Sequence, residues 1–481
     1  MSLSDKIFNG MAWSALERIS VQAVQFIIQI ALARILTPAE YGTVGLLYVF
    51  IAISTVFIDS GFTKALIQKK KRTEVDISTV FFFNVLLSTI AYLALFIAAP
   101  YVADFYEIVE LKLLLRVLAI SMIINALFAV PMTLYSIELN FKVLTKINFV
   151  SAIISGALAY TMALNGYGVW SLVGLTLSRS ITAAIFTWIV SKWKPLFVFS
   201  KASLKELFSF GSNLLVSSLL DVTVNKTYEL VIPKFSNIQD LGYYTRGAQF
   251  TTSIYSMINA IFQSVLLPGL TEVQDKIDVL VDHTRKIIKS ATLFIVPLFL
   301  FLAAIAEPLI KVLLTEKWLP AVIIMQIFCV ARMITIISGI NINILYVLGR
   351  TDLALKQQYL KIAIRILFLV VAIKHGIVYL AIAELSATTI HFFINTYYPG
   401  KIMKYGAIAQ IKDNLKIVIA GSIMVFVVVI TNYYIENDIL KLIVAPIVAV
   451  PVYITIIRLL KIKEYFTLKS KLIEIVKKKN K

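Results

Sequence analysis

About fourteen apolar segments follow one another along the chain, each long enough to cross a bilayer as a helix. A crossing of about 30 Å needs roughly 20 residues, because a helix rises about 1.5 Å per residue. The segments are 12–35, 42–66, 77–99, 112–136, 145–165, 168–191, 212–234, 242–268, 288–310, 320–347, 357–375, 377–398, 415–435 and 439–460. The 481 residues leave only short connections between them. The sequence therefore predicts an all-α polytopic membrane protein without a large soluble domain.

Composition excludes several other classes of protein. The chain is 59% hydrophobic and 15% charged, whereas soluble chains average about 25% charged residues. A single cysteine rules out an internal disulfide framework, and the three histidines do not lie at metal-ligand spacing. The sequence carries no P-loop motif. We expect no metal, no cofactor and no built-in ATPase.

The positions of the 46 lysines and arginines predict the orientation in the membrane. With the N-terminus in the cytoplasm, the basic stretches QKKKRTEVD, SKWKPLFVFSKASLKE and YYPGKIMKYGAIAQIKDNLK all fall inside. The weakly apolar segment 212–234 must then be a real span, because without it every later loop would change sides. Both termini are expected in the cytoplasm. A cleaved signal peptide ending near ALA at 31–33 is the less favoured alternative, since the apolar run is too long.

An internal repeat divides the chain. TPAEYG at 37–42 predicts a helix start with Thr37 as N-cap, Pro38 in the first turn and Glu40 completing a capping box. NIQDLG at 237–242 follows at an offset of 200 residues (237 minus 37). Further equivalent positions are Gln25 with Asn225, Gln29 with Glu229, Asp59 with Asn259, Phe62 with Phe262, and Leu66 with Leu266.

The repeat predicts two parallel six-helix lobes with a site at their interface, followed by two C-terminal helices. The predicted parts are 1–191 (first lobe), 192–210 (cytoplasmic linker), 211–399 (second lobe), 400–460 (spans 13 and 14) and 461–481 (basic tail).

A polar stripe crosses the first span. Arg18, Gln22, Gln25 and Gln29 step by four, three and four residues, and so share one helix face. Asp221, Asn225 and Glu229 form the equivalent stripe on the seventh span. Because lipid penalises polar side chains, we expect both stripes to face a shared cavity. The alternative is that the glutamines bond neighbouring helices, at about 0.6 kcal/mol each.

Other charges inside the spans are open to two interpretations each. Arg179 lies mid-span, either in the cavity or paired with an acid such as Asp59 or Glu384. Lys226 and Glu229 can neutralise each other, and Arg365 is expected to extend to the cytoplasmic interface. Basic residues outnumber acids in the spans, which favours an anionic substrate, since guanidinium forms paired hydrogen bonds with phosphate oxygens.

The stretches WSALERISVQAVQFIIQIALARILTPAEYG, IDSGFTKALIQKKK and LGYYTRGAQF resemble the bacterial polysaccharide transporters of the MOP flippase superfamily. The resemblance extends over the whole chain. It implies an inner-membrane flippase that moves a polyprenyl-diphosphate-linked oligosaccharide to the outer leaflet by alternating access, through a cationic central cavity. It also implies that Arg18 is a cavity arginine. Arg179 and Arg246 are added from the charge pattern alone.

The predicted substrate site combines residues of both stripes with other cations of the spans. Its members are Arg18, Gln22, Gln25, Gln29, Arg179, Asn225, Lys226 and Arg246. The diphosphate is expected near Arg18, Arg179 and Lys226, and the amides near sugar hydroxyls. Asp221, Glu229 and Glu384 are candidates for carrying a coupling ion.

The predicted partners are the lipid-linked oligosaccharide, membrane lipids and other polysaccharide-assembly proteins, and not nucleic acid. Two alternatives remain at this point: a cation-coupled drug or metabolite extruder of the same architecture, and a membrane-embedded polymerase or ligase. The surplus of arginine argues against the extruder, and the absence of a large outer loop argues against the enzyme.

Overall fold

The structure is a computed structural model that describes residues 20–58, 66, 67, 69 and 72–470. Of residues 206–217, 220, 221, 260, 261 and 263–269 it describes the backbone alone. Arg18 and Asp59 lie outside the described residues, and so does the side chain of Asp221. The regular structure of the described residues is entirely helical.

Every predicted apolar segment overlaps a helix. The helices are α1 (Ser20–Ile35), α2 (Pro38–Ile58), α3 (Glu74–Tyr106), α4 (Glu110–Ile137), α5 (Phe141–Leu164), α6 (Trp170–Val190), α7 (Lys201–Phe235), α8 (Ile238–Thr271), α9 (Ile277–Ala304), α10 (Ala306–Leu314), α11 (Ala321–Val347), α12 (Thr351–Ala372), α13 (Ile377–Met403), α14 (Ala407–Tyr433), α15 (Asp438–Leu459) and α16 (463–470), with a 3-10 helix at Glu316–Trp318.

Ten of these helices are long and apolar enough to cross a membrane, namely α2 to α6, α9, α11 and α13 to α15. The described part of α1 is apolar but shorter. Charged side chains keep α12 below the same limit, whereas the side chains of α7 and α8 are described only in part. A multi-pass membrane protein is confirmed, and the count of fourteen spans stays a prediction.

Local capping residues explain where several helices begin. The Thr37 amide donates to Glu40 Oε2 at 2.6 Å, and the Glu40 amide donates to Thr37 Oγ1 at 3.3 Å. The predicted capping box of α2 is thus confirmed. At the start of α8, the Asp240 amide donates to Asn237 Oδ1 at 2.7 Å. The two turns that the sequence matches therefore cap their helices with the same positions.

The chain packs as two units, one ending at Gly242 and the other beginning at Tyr243. In the first unit, α4 packs against α3 and α6, and α5 packs against α6. Its core includes Leu111, Leu114, Leu115 and Leu118, which are fully buried along one face of α4. Helix α7, which the sequence assigns to the second lobe, packs against α2 and α3. The predicted lobe boundaries stay a prediction.

In the second unit, α11 packs against α9 and α13, and α12 packs against α13. The two C-terminal helices belong to this unit: α14 packs against α9, and α15 packs against α14 and α10. Leu293 and Val296 of α9 share a buried cluster with Ile417 and Ala420 of α14. Gly421 lets these helices approach closely, since an added Cβ would lie 2.9 Å from a Val296 methyl carbon.

A reciprocal backbone contact joins the two equivalent turns within the first unit. A Cβ on Gly42 would lie 1.8 Å from the Ile238 carbonyl oxygen, and one on Gly242 would lie 1.9 Å from the Pro38 oxygen. Gly42 packs on Ile238, and its equivalent Gly242 packs on Pro38, which is the equivalent of Ile238. Only glycine leaves room for this approach.

Candidate functional site

Arg179 of α6 and Gln25 of α1 form the polar contact that connects these two helices. With its amide oxygen facing the guanidinium, Gln25 accepts hydrogen bonds from both terminal nitrogens of Arg179, one of them at 2.7 Å. Both side chains are half-buried. The contact joins two residues of the predicted site that stand far apart in the sequence.

No carboxylate neutralises Arg179 among the residues that the structure describes. The ion pairs of the described chain do not include it, and its hydrogen-bond partner Gln25 is neutral. Of the two acids considered as its partner, Glu384 bonds elsewhere and Asp59 is not described. Since an arginine stays charged in a protein, Arg179 carries a positive charge that no described carboxylate balances.

Tyr48 and Thr176 extend the polar surface beside Arg179. Their hydroxyl oxygens lie 2.5 Å apart, between α2 and the turn of α6 that precedes Arg179. The sequence reasoning missed both residues, because a single tyrosine or threonine in an apolar helix has no distinctive spacing. Together the four side chains offer hydroxyl, amide and guanidinium groups to a polar ligand.

Helix α7 carries the second stripe in a different electrostatic state. Lys226 Nζ lies 2.7 Å from Glu229 Oε1 and 2.9 Å from Oε2. The predicted neutralisation of this pair is confirmed. Asn225 precedes the pair and is exposed. In the described chain, hydrogen bonds and ion pairs do not connect this pair to Gln25 or Arg179.

The remaining stripe residues of α1 differ in their surroundings. Gln22 is exposed and Gln29 is half-buried. The Gln29 carbonyl oxygen accepts a hydrogen bond from the Tyr41 hydroxyl at 3.4 Å. The described residues of the stripe therefore differ in exposure, and Gln25 is the one for which a contact with Arg179 is described.

Two predicted site residues lie in the second unit. Arg246 donates to Gln249 Oε1 at 2.5 Å, one turn further along α8. Glu384 of α13 is buried and binds Arg365 of α12 through two hydrogen bonds, at 2.5 and 3.0 Å. The expectation that Arg365 extends to the interface is wrong, because the ion pair holds the guanidinium against α13. A buried carboxylate requires such a partner.

Arg332 of α11 is a further cation of the second unit that the predicted site did not include. Its guanidinium carbon lies 5.4 Å from the Tyr255 ring centroid and 5.3 Å from that of Phe328. Its Nε is buried and has no hydrogen-bond partner among the described residues. The sequence shows a charged residue in a span here, but the aromatic partners come from two helices and share no motif with it. Over the residues described, no three His, Cys, Asp or Glu side chains group together as metal ligands.

The comparison with protein families decides which family the chain belongs to. Residues 31–323 match the model of the family described as "Polysaccharide biosynthesis protein", which is more than half of the chain. The chain belongs to the polysaccharide biosynthesis protein family. This confirms the resemblance based on the first span and on LGYYTRGAQF.

Curated proteins similar to this family member carry related names. The teichuronic acid biosynthesis protein TuaB of Bacillus subtilis is 27% identical over 73% of the chain and 74% of its own length. The lipopolysaccharide biosynthesis protein WzxC of Escherichia coli is 22% identical over 75% of the chain and 74% of its own length. The succinoglycan biosynthesis transport protein ExoT of Rhizobium meliloti is 23% identical over 65% of the chain and 63% of its own length.

Solved structures identify the fold. The lipid II flippase MurJ, in an inward closed conformation, matches with a TM-score of 0.71 at 15% identity, over 93% of this chain and 98% of that one. An inward-facing multidrug resistance transporter of the MATE family and MOP superfamily matches with a TM-score of 0.60 at 15% identity, over 82% of this chain and all of that one. This member of the polysaccharide biosynthesis protein family thus has a MOP-like fold.

Proposed function

We propose that the chain is a flippase that moves a polyprenyl-diphosphate-linked oligosaccharide from the cytoplasmic to the outer leaflet, for export of a surface polysaccharide. The observation that carries the assignment is Arg179 in the first unit of a polysaccharide biosynthesis protein, where no carboxylate among the described residues pairs with it. A diphosphate crosses hydrocarbon only at a cost of many kcal/mol, because its charges lose their water. A polar pathway with a fixed cation lowers that cost without covalent chemistry.

The groups around Arg179 suit the two halves of such a head group. The guanidinium can form paired, charge-assisted hydrogen bonds with diphosphate oxygens. The Tyr48 and Thr176 hydroxyls and the amides of Gln22 and Gln25 suit sugar hydroxyls, which both donate and accept. Arg18, one turn before Gln22 in the sequence, adds a second cation in this proposal.

The proposal includes an inner-membrane location, two six-helix lobes, about fourteen spans and both termini in the cytoplasm. Alternating access is supported by the contact of Gly42 with Ile238 and of Gly242 with Pro38. A close approach of backbones at two glycines, which carry no side chains to interlock, can separate and form again at low cost. Each of the acids Glu229 and Glu384 would have to release its basic partner in order to carry a coupling ion.

Flipping of a defined substrate tests the assignment. Purified protein is reconstituted in vesicles with a fluorescent oligosaccharide on a polyprenyl diphosphate, and protection of the sugar from an impermeant quencher is followed. We expect the wild type to flip this lipid and Arg179→Gln to flip it about 100-fold more slowly. Arg116→Gln is the matched control, because Arg116 is also a span arginine of the first unit, but it binds the Phe96 carbonyl oxygen and ring.

If the wild type does not flip the labelled lipid but extrudes a cationic dye, the flippase assignment is wrong and the extruder alternative is supported. If Arg179→Gln and Arg116→Gln flip the lipid as well as each other, the flippase assignment is kept but Arg179 is not part of the substrate site. Native mass spectrometry of the same samples then identifies the glycan that co-purifies with the wild type.

A further inference from the structure

The connection between α6 and α7 exposes four successive large apolar side chains. We call residues 191–200 the linker segment. Leu196, Phe197, Val198 and Phe199 are all exposed, and Phe197 reaches 94%. Exposed lysines flank them on both sides, at 192, 194, 201 and 205. Four exposed apolar side chains in a row, flanked by charged residues, are typical of a surface that binds a protein or a membrane.

Hydrogen bonds hold the linker segment against the first turns of α3. The Trp193 indole donates to Glu74 Oε2 at 2.9 Å. The Leu196 amide donates to Ser78 Oγ at 3.0 Å, and the Ser200 amide donates to Thr79 Oγ1 at 3.1 Å. The apolar side chains between these bonds are therefore presented outward by a fixed backbone.

The length of α3 sets the depth of the linker segment in the membrane. Its 33 residues are about 50 Å long, so about 10 Å at each end extends beyond a hydrocarbon layer of about 30 Å. Ser78 and Thr79 lie about 6–8 Å along the helix from Glu74. The Phe197 ring centroid lies 5.7 Å from that of Phe82, which is about 12 Å along. The apolar side chains thus stand where head groups meet acyl chains.

We propose that the linker segment is a membrane-surface anchor whose partner is anionic phospholipid. Phe197 and Phe199 enter the acyl boundary, while the four flanking lysines bind head-group phosphates. Aromatic side chains favour this boundary, and lysines beside it are attracted to the negative cytoplasmic leaflet. If the segment stood in water, its aromatic rings would be exposed to solvent, which is unfavourable. If it lay deeper in the membrane, the lysines would lose their hydration.

The anchor fixes the junction of α3, α6 and α7 at one depth. The segment is bound to α3 by three hydrogen bonds, and Trp193 also stacks on Trp188 of α6 at 6.3 Å between ring centroids. Helix α7 begins directly after it, with Ser200 as its N-cap. This inference depends on the membrane location of the chain and not on its substrate.

The depth of residue 197 tests the anchor. Phe197→Cys carries a spin label in nanodiscs of phosphatidylcholine alone or mixed with phosphatidylglycerol, and the buried Cys329 stays unlabelled. Glu436→Cys, in the exposed turn between α14 and α15, is the control. We expect position 197 to favour collisions with oxygen over a water-soluble nickel chelate, and position 436 to show the reverse. Equal nickel access at both positions would overturn the anchor.

The lysines are tested in the same discs. Replacing Lys192, Lys194, Lys201 and Lys205 with glutamine should shift label 197 toward water when phosphatidylglycerol is present, and leave it unchanged in phosphatidylcholine alone. All four side chains are exposed, so monodisperse elution is expected from this variant. An identical depth with and without the lysines in the phosphatidylglycerol discs would overturn the selection of anionic lipid.

Discussion

The polar stripes of α1 and α7 occupy equivalent positions of the repeat, but they differ in whether a nearby positive charge is paired with a carboxylate. In α1, Gln25 binds the guanidinium of Arg179 and leaves its charge in place. In α7, Lys226 and Glu229 cancel each other within one turn. A charge without an opposite partner inside a membrane is costly, and proteins keep one where function needs it. We therefore propose a ligand-binding role for the Arg179 region and a structural role for the α7 pair.

The largest expected effect is on transport by Arg179→Gln. Losing a charged contact to the diphosphate costs about 2–5 kcal/mol, so flipping should slow by about 100-fold. Stability should stay equal or rise, because the variant removes a half-buried charge. Vesicle flipping and thermal unfolding of the same preparations measure both. If Arg179→Gln lowers the unfolding temperature and leaves flipping unchanged, Arg179 has a structural role and does not bind the substrate.

The next largest effect is expected at the contact between the two turns. Gly42→Ala and Gly242→Ala each place a Cβ within 2 Å of a carbonyl oxygen, and should destabilise by about 1–3 kcal/mol. The two losses should be similar, because the contact is reciprocal.

Gly339→Ala is the control for these glycine variants. Its Cβ would meet no atom within 4 Å, and alanine favours helix, so unfolding temperature should hold or rise. If only one of Gly42→Ala and Gly242→Ala lowers the unfolding temperature, the two turns are not equivalent in energy.

A smaller effect is expected from Lys226→Gln, which leaves the Glu229 carboxylate without its partner. The pair is partly exposed, so the loss of stability should be about 1–2 kcal/mol. Lys226→Gln combined with Glu229→Gln should recover most of it, because no charge is left unpaired. Thermal unfolding of the single and double variants decides this. If the double variant instead loses flipping as strongly as Arg179→Gln, the α7 stripe also binds substrate.

The smallest effect is expected from Tyr48→Phe. The substitution removes one hydroxyl from the surface beside Arg179 and its hydrogen bond to Thr176. A neutral hydrogen bond contributes about 0.5–1.5 kcal/mol, so flipping should fall by about 2- to 10-fold. A parallel series with truncated oligosaccharides would show whether the hydroxyl contacts sugar, since the loss should then disappear with the shortest glycan.

The helices were largely predictable, and the partners of the polar side chains were not. Each predicted apolar segment overlaps a helix, and Thr37 with Glu40 marked a helix start, because both signals are local. Arg365 shows the limit: its spacing suggested the interface, but its partner Glu384 stands 19 residues away on the next helix. Arg18 and Asp221 remain untested, since neither side chain is among those described.

Three properties follow from the amino-acid sequence alone: a helical membrane protein, its family, and the polar stripe on the first span. These follow from hydropathy, helical period and motif, which depend on neighbouring residues. The packing of the helices settles three further points. Arg179 meets Gln25 and no carboxylate of the described residues, Lys226 pairs with Glu229 on its own helix, and Gly42 and Gly242 touch the opposite turn. These outcomes depend on which helix faces lie against each other, and packing in lipid selects those faces by shape and small residues more than by hydropathy.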